Sequence, residues 1–176
     1  EGTAYSTCMG KGTDLLKKHS TNGTNLFKNV IASSDAFTDV IADSNGIIYA
    51  SDSKGYIYVY TRDGELIFCL GEKAGNNDVS GLFSSLTTIA VDNNGNIWTA
   101  DGKKGFIQSF TPTEYATTIY KALQEYENGD YTDALKDWNY VLRLNQMSVL
   151  AHNGVAKAYY NDEEYDKAME HFEIAG

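Results

Sequence analysis

The chain has 176 residues, with 24 acidic against 14 basic side chains for a net charge of −10, and is 42% apolar and 12% aromatic. That balance excludes a disordered chain and leaves nonspecific attraction to nucleic acid or anionic lipid without an electrostatic basis. The first residue is Glu1 and no apolar run reaches the length of a signal peptide or membrane-spanning helix, so the chain reads as an excised piece with any anchor in segments outside it.

In chain order, residues 2–7, 14–19 and 25–30 read as three short strands. Thr-Asn-Gly-Thr at 21–24 supplies a hairpin turn, because Asn-Gly accepts the positive φ angles of a type I′ turn. This stretch is expected to be the tail of a sheet whose first strand lies upstream, with residues 31–36 as connector. Residues 37–42, 47–51, 56–60 and 66–70 then make a four-stranded antiparallel meander, punctuated by Ser-Asn-Gly, Asp-Ser-Lys-Gly and Arg-Asp-Gly turns. A glycine-containing loop from Gly71 to Phe83 leads to strands at 87–91, 96–100 and 106–110, and Pro112 ends the strand pattern.

Two internal repeats organise the rest. VDNNGNIWTAD at 91–101 repeats ADSNGIIYASD at 42–52 forty-nine positions earlier, returning Asp43, Asn45, Gly46, Ile48, Tyr49 and Asp52 as Asp92, Asn94, Gly95, Ile97, Trp98 and Asp101. Short strands at that period point to β-propeller blades. From Thr113 the apolar period changes to that of a helix, with Ile119, Leu123 and Tyr126 on one face. Ala122, Tyr126, Tyr131, Ala134, Trp138 and Val141 return thirty-four positions later as Ala156, Tyr160, Tyr165, Ala168, Phe172 and Ala175, which matches tetratricopeptide architecture. The expected fold is therefore a multi-domain β + α chain: about two and a half propeller blades over 1–111, then two helical repeats over 112–176, the second truncated. So few blades cannot close a ring that takes about four or more, so the piece is expected to expose blade edges open to association, to borrow a neighbour's, or to have its partner blades upstream.

The Asp-x-x-Gly-x-Ile-aromatic cores at Asp43 to Tyr49 and Asp92 to Trp98, with the glycine-rich junction from Gly71 to Phe83, resemble NHL-type propeller repeats. The resemblance covers 37–110 well; it departs at Leu86, where the family often has proline. Gly129, Tyr131, Ala134 and Trp138 resemble the tetratricopeptide consensus, while Glu163 replaces the second repeat's glycine and Gln146 stands near the usual helix-ending proline. The order of the two modules is similar to exported, membrane-associated NHL/tetratricopeptide proteins of Gram-positive bacteria that carry a gluconolactonase-like label. This resemblance implies an extracellular or cell-surface scaffold or ligand-binding part, with a protein or peptide partner; no cofactor is expected, because the residues show no convergent nucleophile, base or metal cluster.

Candidate sites are few. Asp43-Ser-Asn-Gly and Asp92-Asn-Asn-Gly look like the start of a calcium loop, but neither continues to the closing bidentate acid, so both read as hairpin turns, as do the turns after Asp52 and Asp101. Lactonases of propeller fold hold a divalent cation at the inner strand ends, where only Asp39 stands ready here, so a metal-dependent lactonase-like enzyme with most of its ligands upstream is the alternative reading. No catalytic or metal constellation emerges. His19, His152 and His171 fall in different elements and propose no shared site, and Cys8 and Cys69 read as lone buried thiols rather than a disulfide. Consensus repeat geometry directs Tyr126, Asn153, Lys157 and Tyr160, beside Ile119 and Leu123, into one groove suited to an extended peptide; packing against neighbouring structure is the alternative for Ile119 and Leu123. Residues 112–176 carry 12 Asp/Glu and 5 Lys/Arg, a net of −7 that favours a basic partner.

Overall fold

The computed structural model describes residues 2–8, 12–28, 31–33, 36–74 and 79–176, and the chain divides into two compact units, Glu1–Thr111 and Pro112–Gly176. The architecture is β + α, with antiparallel sheets in the first unit and four helices in the second.

Three sheets follow one another along the first unit. Strands β1 (Ala4–Thr7), β2 (Gly12–His19) and β3 (Ile31–Ser33) form one, β4 (Phe37–Ala42), β5 (Ile48–Asp52), β6 (Ile57–Tyr60) and β7 (Leu66–Leu70) the second. After the parallel pair β8 (Glu72–Lys73) and β9 (Leu82–Phe83), strands β10 (Leu86–Val91), β11 (Ile97–Asp101) and β12 (Phe106–Phe110) form the third. Strand β4 neighbours both β1 and β10, the first strands of the sheets on either side of it.

The forty-nine-residue repeat is reproduced in the hydrogen-bond register. Ala42 pairs with Ile48 and Phe37 with Asp52; Val91 pairs with Ile97 and Leu86 with Asp101, and each ladder is interrupted at the same place, between Phe37 and Asp39 or between Leu86 and Thr88. At that irregularity Thr38 Oγ1 donates to the Ser51 carbonyl (3.2 Å) and Thr87 Oγ1 to the Ala100 carbonyl (3.0 Å). One turn geometry recurs at Ser20, Asp43, Asp52, Thr61 and Asp92: the amide of each pairs with the carbonyl four residues on, and the amide three residues on returns to its own carbonyl. Only the glycine of each turn has positive φ, so the turn at 21–24 is a three-residue turn closed by Gly23 rather than the expected type I′.

The third strand also differs from expectation. Asn25 Oδ1 accepts the amides of Lys18 and Phe27 at 3.3 Å each, so the side chain takes over local backbone donors, and Asn25 makes only an isolated bridge to His19. The strand forms instead at Ile31–Ser33, within the expected connector; Val30 lies outside the described residues.

Leu15, Leu16, Phe27 and Ile31 pack against Phe37, Ile48, Ala50 and Tyr60, joining the first two sheets in one apolar cluster. Each large side chain buried this way contributes about 1.5–3 kcal/mol relative to exposure. On the side towards the third sheet, Phe83 fills the space beside Gly55 and Gly71. A Cβ on Gly55 would stand 2.9 Å from that of Phe83, and one on Gly71 would collide with the Gly55 carbonyl, at backbone φ values of 93° and 82° that also favour glycine. Strand β5, the second strand of the middle sheet, is buried along its whole length, whereas β11 leaves Trp98 exposed. Cys8 and Cys69 are both exposed, contrary to expectation; Cys69 lies on β7, the last strand of its sheet, which has no neighbouring strand on its far side in that sheet.

In the second unit, helices α1 (Glu114–Asn128), α2 (Tyr131–Leu144), α3 (Val149–Asn161) and α4 (Tyr165–Ala175) pack in sequence, α1 on α2, α2 on α3 and α3 on α4. Thr113 and Ser148 cap α1 and α3 by accepting from the amides of Ala116 and Ala151. The links between paired helices are superposable in pattern: Gly129 and Asp130 bond back to Tyr126 and Glu125, and Glu163 and Glu164 to Tyr160 and Tyr159. Alanines 116, 122, 134, 151, 156, 158 and 168 are buried, which lets the helices approach closely, and Trp138 fills the middle of α2 against α3.

Candidate functional site

Helices α1 and α3 are tied at both ends. Near their starts Tyr115 Oη donates to Ser148 Oγ (3.2 Å), and near their ends Asn161 Nδ2 donates to Tyr126 Oη (3.0 Å) while also holding the Lys157 carbonyl (2.8 Å). They therefore run side by side in the same direction. At helical spacing Asn153, Lys157 and Tyr160 share one stripe of α3. Tyr160 is 60% exposed, Asn153 and Lys157 are half-buried, and Tyr126 is half-buried beside Asn161. Ile119, by contrast, is fully buried and belongs to the packing of the helices, while Leu123 is half-buried.

The tyrosines have structural partners too. Tyr126 lies 5.1 Å from the Tyr131 ring and Tyr160 5.5 Å from the Tyr165 ring, one pair across each inter-helix link. These pairs fix the ring orientations, which lowers the entropy lost when a further group stacks on them.

In the first unit the aspartates of the repeated turns bind backbone amides. Asp43 Oδ1 and Asp92 Oδ1 each accept two turn amides at 2.9 Å, Asp52 Oδ1 accepts those of Lys54 and Tyr56, and Asp101 receives Lys103, Lys104, Ser84 and Ser85. For Asp101, burial pushes the carboxyl up, but the four amide bonds together hold it below its ordinary value. Asp39 is drawn away from any open site: Oδ2 accepts Thr88 Oγ1–H (2.7 Å) and the Ile89 amide (3.1 Å), and Oδ1 accepts the Val40 amide (2.9 Å). The carboxylate thus joins β4 to β10, across two sheets. Among the described residues no group of three or more His, Cys, Asp or Glu is arranged to hold a metal ion.

An open depression beside β12 is lined by Val79, Ser80, Phe106, Gln108 and Ser109. Its most versatile side chain, Gln108, already accepts the Gly81 amide (2.8 Å) and donates to the Leu82 carbonyl (3.3 Å), which makes it a tie for the β9 segment.

One cluster escaped the sequence reading. His152 and His171, expected to share nothing, face each other with Nδ1 atoms 3.0 Å apart, while His19 stands in the other unit with Ser6. The α3–α4 hairpin folds position 171 back onto 152, a relation that their separation of nineteen residues does not announce. His152 is only 9% exposed, and its Nε2 lies 3.1 Å from the Gln146 carbonyl. Burial and the neighbouring His152 push His171 below the ordinary imidazole value, against a smaller opposing pull from Glu170.

No known family pattern matches the chain, and no curated protein sequence matches it. Among solved structures it is similar to the computationally designed Ika4 protein, at TM-score 0.46 and 18% identity over 64% of this chain and 62% of that one. It is similar also to the computationally designed Ika8 protein, at 0.45 and 17% over 64% of this chain and 31% of that one, and to a streptogramin B lyase, at 0.43 and 14% over 65% and 38%. The chain thus spans less than two thirds of each of these structures. No helix among the described residues is long and apolar enough to cross a membrane.

Proposed function

We propose that the chain is a non-enzymatic interaction module, the end of an NHL-like propeller followed by tetratricopeptide-like hairpins, whose helical unit holds an extended segment of a partner protein. The observation that carries this reading is the double tie between α1 and α3, Tyr115 to Ser148 and Tyr126 to Asn161, which keeps the stripe of Asn153, Lys157 and Tyr160 beside Tyr126. Asparagine and lysine bond the carbonyls of an extended chain, and tyrosine stacks on its side chains. The net charge of −7 over residues 112–176 favours a basic segment. The engagement of Asp39 by Thr88 and Ile89 weighs against a cation at that position and so against the lactonase reading. The sequence resemblance is the ground for assigning the module to the cell surface, anchored through other segments.

The test is a screen of synthetic extended peptides of basic and acidic composition against the full chain, with affinities read by fluorescence anisotropy. The Lys157→Glu, Tyr160→Ala double variant is expected to weaken a basic hit at least about tenfold, equivalent to about 1.4 kcal/mol, with its helical circular dichroism unchanged. Equal binding by the double variant would remove the groove assignment.

A further inference from the structure

We infer that the outer edge of β12 takes up an extended segment of a partner protein as the fourth strand of the third sheet, a segment apolar at alternate positions and ending in an acidic residue. The second sheet contains what the third lacks. There β7 pairs with β6, whereas among the described residues no strand pairs with the outer side of β12. Along an antiparallel strand the amide and carbonyl of one residue point to the same side, and those of the next residue to the other. The Asp52 amide bonds the Tyr56 carbonyl (3.0 Å), so Tyr58 also turns towards β5, and Ile57 and Val59 turn towards β7, where they pair with Leu70 and Phe68. In the third sheet Thr99 Oγ1 donates to the Gln108 carbonyl (3.2 Å), which places the Gln108 backbone towards β11 and turns that of Ile107 and Ser109 outward. These two are the repeat counterparts of Ile57 and Val59, after one extra residue in the 101–105 turn. Ile57 and Val59 are fully buried, while Ile107 is 69% exposed and Ser109 is exposed beside it.

The open depression lined by Val79, Ser80, Phe106, Gln108 and Ser109 gives such a strand a seat. Its wall is set beforehand, because the Gln108 side chain holds the Gly81 amide and the Leu82 carbonyl, and a preformed wall lowers the ordering cost of binding. Val79, 54% exposed, offers an apolar contact on that side. The chemistry of the occupant follows from β7 and from charge. Strand β7 sets Leu66, Phe68 and Leu70 at alternate positions and is followed by Glu72. A strand lying antiparallel to β12 in that register ends beside the 101–105 turn, which carries Lys103 and Lys104, so an acid at its end meets two cations. Main-chain bonds to Ile107 and Ser109 supply affinity, and the alternating side chains supply selectivity. The site belongs to the first unit and makes no use of the α1–α3 face.

The probe is a fluorescent synthetic peptide of residues 65–72 carrying Cys69→Ser, titrated with the full chain and followed by anisotropy and by amide hydrogen exchange. Saturable binding is expected, with slowed exchange at the amides of Ile107 and Ser109. Ser109→Pro removes one outward N–H and leaves the β11 ladder intact, as proline does on an edge strand, and is expected to weaken binding about tenfold with the circular dichroism unchanged. Two methylated peptides make the same test on the unaltered chain. N-methylation at the Leu70 position, whose backbone faces the neighbouring strand in the second sheet, should abolish binding, and N-methylation at position 69, which faces away, should not. A Glu72→Lys peptide is expected to bind more weakly, and the Lys157→Glu, Tyr160→Ala chain to bind as the wild type does. The proposal is overturned by an absence of saturable binding, by unchanged binding in Ser109→Pro, or by equal binding of the two methylated peptides or of the Glu72→Lys and parent peptides. Loss of binding in the Lys157→Glu, Tyr160→Ala chain overturns it as well, and so does sedimentation showing that a second copy of the chain fills the edge.

Discussion

A Cβ placed on Gly154 would lie 2.6 Å from Nε1 of Trp138 and nearer still to its ring carbons, so the absence of a side chain in α3 is what lets the α2 indole reach 2% exposure. Helix propensity alone favours alanine over glycine at an interior position by about 1 kcal/mol. The collision decides otherwise, because relieving it means displacing a large ring or parting two helices, at a cost of about 1–3 kcal/mol beyond that gain. Gly154→Ala is therefore expected to lower the melting temperature of the helical unit, read by circular dichroism at the helix band. An unchanged or raised melt would mean that the indole has room to move.

Glu163 and Gly129 stand at the same place in the two helical links, and both have positive φ, 61° and 87°. Glycine adopts that conformation without steric cost, whereas a glutamate pays for it while making the same pair of backbone bonds to Tyr160 and, through Glu164, to Tyr159. Glu163→Gly should stabilise the helical unit by about 1 kcal/mol, and Gly129→Ala should destabilise it by a similar amount. Denaturant melts of the two variants check the pair together; the same sign for both would show that the links are not equivalent.

The strands of the second and third sheets were legible because two copies of one pattern constrain each other, Ile48 with Ile97 and Asp52 with Asp101, although each of these strands runs one residue further than expected, through Asp52 and Asp101. The α1–α3 face was legible for the same reason, through the return of Tyr126 as Tyr160. Features set by a single side chain were not. Asn25 diverts two amides and moves β3 downstream, and a polar residue ahead of a strand carries no signal distinguishing that outcome from a regular ladder. Asp39 looked available because the residue that occupies it, Thr88, is forty-nine positions away and on another sheet. The meeting of His152 and His171 depends on how α4 folds back on α3, which one sequence in isolation does not state.

Because Asp39 joins β4 to β10, its loss should be felt as instability of the sheets rather than as loss of a reaction. Asp39→Ala leaves the Ile89 amide and the Thr88 hydroxyl without their acceptor, and removing a charged partner from such bonds costs about 1.5–3 kcal/mol. Asp39→Asn, which keeps one oxygen, is expected to recover part of the loss. Proteolysis of the first unit under mildly denaturing conditions checks this, with the order Ala, Asn, wild type in increasing resistance; equal resistance of all three would dismiss the tie.

The repeat mates Asp43 and Asp92 make the same turn bonds yet should titrate in opposite directions. Burial pushes Asp43 above its ordinary value, only partly offset by the amides of Ile47, Asn45 and Gly46 and by the Tyr49 side chain. Asp92 is taken down to about 2, chiefly by the Trp98 indole N–H at 3.0 Å and the Asn96 side-chain amide at 2.9 Å, the latter a donor that Ile47 in the first copy lacks. The signs for stability follow from linkage. Asp92 favours the folded state fully above the unfolded carboxyl value, about 4, and loses that contribution as pH falls towards 2. Asp43 works the other way: its contribution is complete below the unfolded value and is lost as pH rises through its raised folded value. Carboxyl ¹³C titration should therefore place Asp43 above Asp92. Asp92→Asn should flatten the acid limb of the stability curve between about pH 4 and 2, whereas Asp43→Asn should leave that limb in place. If the two carboxyls titrate together, the indole and amide donors to Asp92 are not made in solution.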